Sequence, residues 1–251
     1  MIALTISLRP LFHLVKGRGV DQPLARTTAG EMMNIAASAK VAPPIDDPPL
    51  ARRPTSPPRQ ERARATYERL LDVAGGLLAE VGVEGISTNL ICARAGMTPP
   101  ALYRYFEDKY AVLEALGGRL MDRQNQVLFA WLDRHAPFGL RALGDATLEL
   151  LQATAAITAS EPGAIWTLRA LRATPRLAHV RIQSHRLVTD RMVAAYAPYL
   201  PNIPPEVLWR RMRLSIEYGF ATDEMLNEET LIPSDLLLRD AAAILRHALT
   251  P

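Results

Sequence analysis

The chain has 251 residues, 49% of them apolar and 6% aromatic, with a formal net charge of +3. That length supports one large or two modest domains with real hydrophobic cores. The mild charge permits nucleic-acid binding without demanding it, so any case for nucleic acid has to rest on where charge is placed. A single cysteine, Cys92, excludes an internal disulfide and a cysteine-cluster metal site, and no apolar run reaches the roughly 20 residues of a membrane span, so a soluble cytoplasmic protein with no membrane partner is expected.

Residues 1–60 show no sustained period, and "VAPPIDDPPLARRPTSPPR" (Val41 to Arg59) is dense in proline and charge. Proline lacks an amide donor and disfavours helix in the residue before it, so 1–60 reads as a disordered or extended N-terminal arm. Arg52, Arg53 and Arg59 on that arm belong to a solvated linker or follow a DNA groove. The opening apolar stretch lacks the basic leader and small-residue cleavage site of a signal peptide. Translation is expected to start at Met32 or Met33, which detection of a native N-terminus at Met1 or Ile2 by mass spectrometry would refute.

From Arg62 a helical period sets in, with Ala63, Tyr67, Leu70, Leu71, Ala74, Leu77, Leu78 and Val81 on one face and Gly82 as a stop. In "ISTNLICARAGMT", Ser87 or Thr88 caps a short helix that Gly96 ends. Thr98 then caps a third, with Pro99 at its first position, where a missing amide hydrogen costs nothing. Leu102 and Phe106, four apart, face inward, so Tyr103, Arg104 and the flank of Tyr105 cannot all be buried. The pattern of helix, tight turn and helix with exposed phenol and guanidinium groups is that of a helix-turn-helix unit.

The motifs "GIST" (Gly85 to Thr88), "ICARAGMT" (Ile91 to Thr98) and "LYRYFEDK" (Leu102 to Lys109) resemble, in order and spacing, the DNA-binding domain of TetR/AcrR-family transcriptional regulators. The resemblance covers about Arg62 to Leu116. It implies an all-α fold: a three-helix helix-turn-helix DNA-binding domain (61–108) joined by a long helix to a C-terminal helical bundle for effector binding and dimerisation (109–251). The implied DNA-binding residues are Ser87, Thr88, Asn89, Thr98, Pro99, Ala101, Tyr103, Arg104, Tyr105 and Lys109. Arg104 is the candidate reader of guanine edges and Lys109 the grip on the backbone. Many family members carry Lys-Gly where this chain has Pro99 and Pro100, which moves phosphate contact toward Thr98, Tyr103, Tyr105 and Lys109. Plain structural alternatives stand beside these roles: Arg104 paired with Glu107 or Asp108, Tyr105 partly in the core, Lys109 solvated, and Cys92 a small buried hydrophobe.

A fourth helix is predicted from Lys109 toward Arg134, followed by helices at about Leu140 to Ser160, Gly163 to Ala173, Arg176 to Ala197, Pro205 to Asn227 and Ser234 to Leu249. The resemblance implies that the last two form a four-helix dimer interface and that the homodimer reads a palindromic operator on double-stranded DNA. The middle helices are expected to surround a cavity for a small-molecule effector lined by Trp131, Trp166, Arg169, Met192, Tyr196, Trp209 and Tyr218. The arginine-rich stretch Trp166 to Arg186 favours an anionic ligand, with solvated arginines as the plain structural alternative. No cofactor is expected. No P-loop, dinucleotide fingerprint or HExxH pattern occurs, and His179 and His185 are six apart on different helix faces, so an enzyme is not expected. The alternative function is a protein-interaction or ligand-binding module of the same fold that has lost DNA binding.

Overall fold

A computed structural model describes residues 61–248, and the arm, with its arginines and the start at Met32 or Met33, lies outside the described residues. Among those residues there are ten α-helices and no strand: α1 Glu61–Gly85, α2 Thr88–Ala95, α3 Pro99–Tyr103, α4 Lys109–His135, α5 Gly139–Asp145, α6 Thr147–Ser160, α7 Ala164–Ala173, α8 Ala178–Tyr196, α9 Pro205–Leu226 and α10 Ser234–Ala248. Three short 3-10 turns, Ala136–Phe138, Pro175–Leu177 and Ala197–Tyr199, join α4 to α5, α7 to α8 and α8 to the loop before α9.

The helix ends follow from local chemistry. Gly82, at φ 67°, breaks the helical path inside the last turn of α1. Ser87 caps α2 by accepting the Leu90 amide hydrogen (3.2 Å), and Gly96 closes it in the left-handed region (φ 64°), where a side chain would be strained. Thr98 sits at the start of α3, but its side chain makes no capping hydrogen bond, so the expected cap is absent; Pro99 alone sets the φ of the first turn. The α3 helix ends at Tyr103, and Phe106 reaches the core from the turn beyond it. Asp108 caps α4 by accepting from the Ala111 amide (2.8 Å). The single helix expected from Leu140 to Ser160 is two, broken at Ala146, whose carbonyl accepts a hydrogen bond from Trp131 Nε1 (3.0 Å). The helix expected from Arg176 begins at Ala178, because Pro175 starts a separate 3-10 turn.

Two main cores hold these helices. The first combines the inward faces of α1 to α3 and the first half of α4, including Leu70, Leu77, Leu102 and Phe106, with Ala164, Leu168 and Leu171 of α7. The second lies among α4, α5, α6, α8 and α9 around Trp131, Val188, Met192, Tyr196 and Met212. The long α4 runs through both, and α1 packs directly on α7. That last contact is close. A Cβ placed on Gly75 would meet the Pro162 carbonyl oxygen, and one on Gly163 would meet the Gly75 backbone, so only glycine pairs let α1 and the α6–α7 turn approach this far.

Candidate nucleic-acid interface and internal cavity

The helix-turn-helix is α2, the Gly96 turn and α3. Burial of Ile91, Cys92, Ala95, Leu102 and Phe106 fixes it to α1 and α4, leaving the opposite surface to polar side chains. Ser87, Asn89, Thr98, Pro99, Tyr103 and Arg104 are exposed there, and Thr88 and Ala101 are half-buried. The Thr88 hydroxyl and the Tyr103 hydroxyl lie 3.2 Å apart, which ties the start of α2 to the end of α3. Tyr105 is half-buried: its ring meets Tyr67 edge-on at 6.4 Å and packs against the first core. Lys109 is turned toward the protein, with Nζ donating to the Val83 carbonyl (3.0 Å) and lying 5.4 Å from the centre of the Tyr110 ring. Asp108 pairs with Arg176 (2.9 Å). Cys92 is a buried free thiol whose pKa burial pushes up, which makes it a small hydrophobe.

Beneath this surface, a charged cluster joins α1 and α4 to the α6–α7 turn. Arg119, on α4, reaches Asp72 (2.8 Å) and Glu68 (3.0 Å) on α1 and Glu161 (3.3 Å) after α6. Arg123 pairs with the same Glu161 carboxylate, which is buried. Glu161 directly precedes Pro162 and Gly163, the residues that abut Gly75.

Further along the bundle lies a cavity of about 80 Å³ among α4, α6, α8 and α9, closed at one side by Leu245 of α10. Of the residues expected to line an effector site, the structure brings together Trp131, Met192 and Tyr196 in this wall. The other four stand elsewhere. Trp166 is exposed under the Arg169 guanidinium (4.9 Å), Arg169 pairs with Glu228 (2.8 Å), Trp209 donates to Asp190 (2.9 Å), and Tyr218 packs in a small third cluster with Leu151 and Ala241. The arginines of 166–186 do not line the cavity either. Arg172 and Arg176 hold Glu224 and Asp108, and Arg181 meets Arg213 and His185 on Glu217. Burial drives the His185 pKa down to about 4, so the ring is neutral at pH 7 and donates from Nδ1 to Glu217 (3.0 Å). Four of the five arginines of this stretch already have carboxylates, and Arg186 is exposed and does not line the cavity, so the expectation of an anionic ligand there loses its basis.

Two polar residues that sequence reasoning did not single out, Gln124 and Asp223, form one corner of the cavity, with Thr158 bonded to both behind them. Thr158 donates to Asp223 Oδ2 (2.5 Å), and the Gln124 amide nitrogen lies 2.9 Å from the Thr158 hydroxyl and 3.5 Å from Asp223 Oδ2. All three are buried, and the other oxygens of the pair, Asp223 Oδ1 and Gln124 Oε1, have no partner. Burial pushes the Asp223 carboxyl up to about 6, against the hydrogen bond from Thr158. A signal was present in the sequence. Gln124 falls on the apolar stripe of α4 between Leu120 and Trp131, and Asp223 follows Met212, Ile216 and Phe220 at helical spacing on α9.

Comparison with known proteins agrees with this geometry. Residues 70–116 match the family model described as bacterial regulatory proteins, tetR family. The class D tetracycline repressor protein of Escherichia coli is 30% identical over 90 residues, 36% of this chain and 36% of the repressor, so the chain matches about a third of that relative's length. Among solved structures, a TetR-family transcriptional regulator from Streptomyces coelicolor superposes with a TM-score of 0.52 at 23% identity, over 73% of this chain and 97% of that one. A TetR/AcrR-family regulator from Thermobifida fusca gives 0.53 at 20% identity, over 72% and 97%. Residues 70–116 thus match the model of the tetR family of bacterial regulatory proteins, within a fold shared with solved TetR-family regulators.

Proposed function

We propose that the chain is a sequence-specific transcriptional repressor that binds a palindromic operator as a homodimer and leaves it when a small molecule occupies the bundle. The observation that carries this reading is the exposed pair Tyr103 and Arg104 on a helix-turn-helix whose scaffold is fixed to the cavity wall. The Arg104 guanidinium supplies the fork that suits guanine O6 and N7, while Ser87, Thr88, Thr98 and Tyr103 supply hydroxyls for phosphate. Lys109 contributes through position more than free charge, because it already holds the Val83 carbonyl.

Dimerisation is supported by the outer face of α9 and α10, where Leu214, Leu236 and Ile244 are exposed. A second copy covers such a face by the same residues around a two-fold axis, which sets two reading helices on one side of DNA.

Coupling follows the chain from cavity to head. Thr158, bonded to Gln124 and Asp223 of the polar corner, stands three residues before Glu161, which grips Arg119 and Arg123, and five before Gly163, which abuts Gly75. A ligand that wedges α6 from α9 moves this turn against α1. It thereby favours a geometry in which the two reading heads no longer match their half-sites. Cytoplasmic location and the absence of catalysis belong to the same reading.

The experiment is selection of genomic fragments by the purified chain at moderate salt, repeated with Arg104→Ala. Enrichment of a palindromic site that the variant loses or relaxes supports the reading. Recovery of no fragment above non-specific background refutes it and favours an interaction module without DNA.

A further inference from the structure

The cavity's polar corner presents acceptors only. Thr158 spends its proton on Asp223 Oδ2, and the Gln124 amide nitrogen faces the Thr158 and Asp223 oxygens. That contact also fixes the amide's orientation, since a flipped amide would set its oxygen against the carboxylate. In the wall, Thr154 and Ser215 donate their hydroxyl protons to backbone carbonyls of their own helices, and Thr147 donates to the Leu143 carbonyl of α5. The two oxygens left unpartnered, Asp223 Oδ1 and Gln124 Oε1, belong to buried side chains 5% and 3% exposed. No lysine, arginine or histidine lines the cavity. The remaining wall is apolar apart from the Tyr196 hydroxyl, and its volume of about 80 Å³ holds on the order of five waters, the space of one ring with a short arm.

A buried carboxylate with one free oxygen and no cation beside it is stabilised most by a ligand that brings the cation. Two unpartnered acceptors on side chains that both line the cavity suit a ligand group with at least two donors on one atom, which a primary ammonium offers and a hydroxyl does not. We propose that the cavity takes an apolar ligand bearing a primary ammonium group, held by Asp223 Oδ1 and Gln124 Oε1. This deepens, and rests on, the reading of the cavity as the effector site. The Asp223 carboxyl titrates near 6, so it is mostly ionised at neutral pH, and Glu224 beside it is already held by Arg172.

The test uses the full chain without DNA and three single-ring probes of similar shape and different charge: 2-phenylethylammonium, 2-phenylethanol and phenylacetate. Binding is read from the labelled methionine methyl signals, since Met192 lines the cavity. The ammonium is expected to shift Met192 and to bind at least about tenfold more tightly than the alcohol, with phenylacetate weakest. Asp223→Asn, which keeps the side-chain shape, brings the ammonium to the alcohol's affinity. Gln124→Met removes one acceptor and weakens the ammonium alone, which keeps the question decidable if the Asp223 variant does not fold. Equal affinity for ammonium and alcohol, preference for phenylacetate, an ammonium preference that persists in folded Asp223→Asn, or no Met192 shift with any probe overturns the proposal. Release from DNA is measured separately. A compound that releases DNA while binding independently of Asp223 preserves the effector reading and overturns this one. Ammonium binding that depends on Asp223 but leaves DNA binding unchanged does the reverse.

Discussion

Asp223 is held at a cost. An acid whose pKa rises from 3.8 in the unfolded chain to about 6 in the fold binds its proton more tightly when folded. Its contribution is therefore most favourable below about pH 4, declines as pH rises through 6, and is lost above it. At pH 7 the deficit amounts to about 2–3 kcal/mol as an upper bound. Asp223→Asn is accordingly expected to stabilise the unliganded protein, by an amount that grows between about pH 4.5 and pH 7.5 in urea denaturation. A gap between variant and parent that stays constant across that range contradicts the account. Glu161 is the opposite case, a buried carboxylate met by two arginines. Glu161→Gln is expected to lower stability by about 1–3 kcal/mol, because Arg119 then keeps only its partners on α1. The same variant weakens the effect of any cavity ligand on DNA affinity, which a DNA-binding titration with and without ligand measures.

At the scale of helices, α1 and the α6–α7 turn make the contact that joins the two halves of the proposed mechanism. Two adjacent glycines separate packing from propensity. Gly75→Ala sets a methyl against the Pro162 backbone carbonyl and is expected to cost about 1–3 kcal/mol. At Gly76 nothing lies within 4 Å of an added Cβ, so Gly76→Ala is expected to gain about 0.5–1 kcal/mol from helix propensity. Thermal unfolding of the two variants checks both signs. The helix pattern of α1 to α4 was legible because its stops are local: Gly82 and Gly96 turn the chain left-handed, and Ser87 caps through its own side chain. The close approach at Gly75 and Gly163 was not, since it depends on residues 88 apart in the chain. Nor was the break at Ala146, which carries neither glycine nor proline and is marked only by tertiary hydrogen bonding from Trp131. The cavity was half legible. Aromatic and methionine residues drew attention to Trp131, Met192 and Tyr196, while the polar corner waited on knowing which faces of α4, α6 and α9 converge.

For the whole molecule, the proposed reading of a palindrome requires two copies. Ile244 and Leu236 are exposed on α10 and Leu214 on α9, and Ala241 and Ala242 are buried on the inner side of α10. Ile244→Asp sets a charge on the exposed apolar side of α10. It is expected to leave the monomer folded and to shift sedimentation from dimer toward monomer, with loss of operator affinity far beyond the effect on non-specific DNA. A variant that sediments as the parent does places the dimer contact elsewhere. The central claim, that the head reads DNA and does so by charge and base edge together, is tested most directly by titrating salt against the affinity for a selected fragment and for unrelated DNA, with the parent and Arg104→Ala. Log affinity is expected to fall steeply and linearly with log salt for both DNAs, with a preference for the selected fragment in the parent and loss of that preference in the variant. Affinity that is independent of salt, or a fragment preference unchanged by Arg104→Ala, contradicts it.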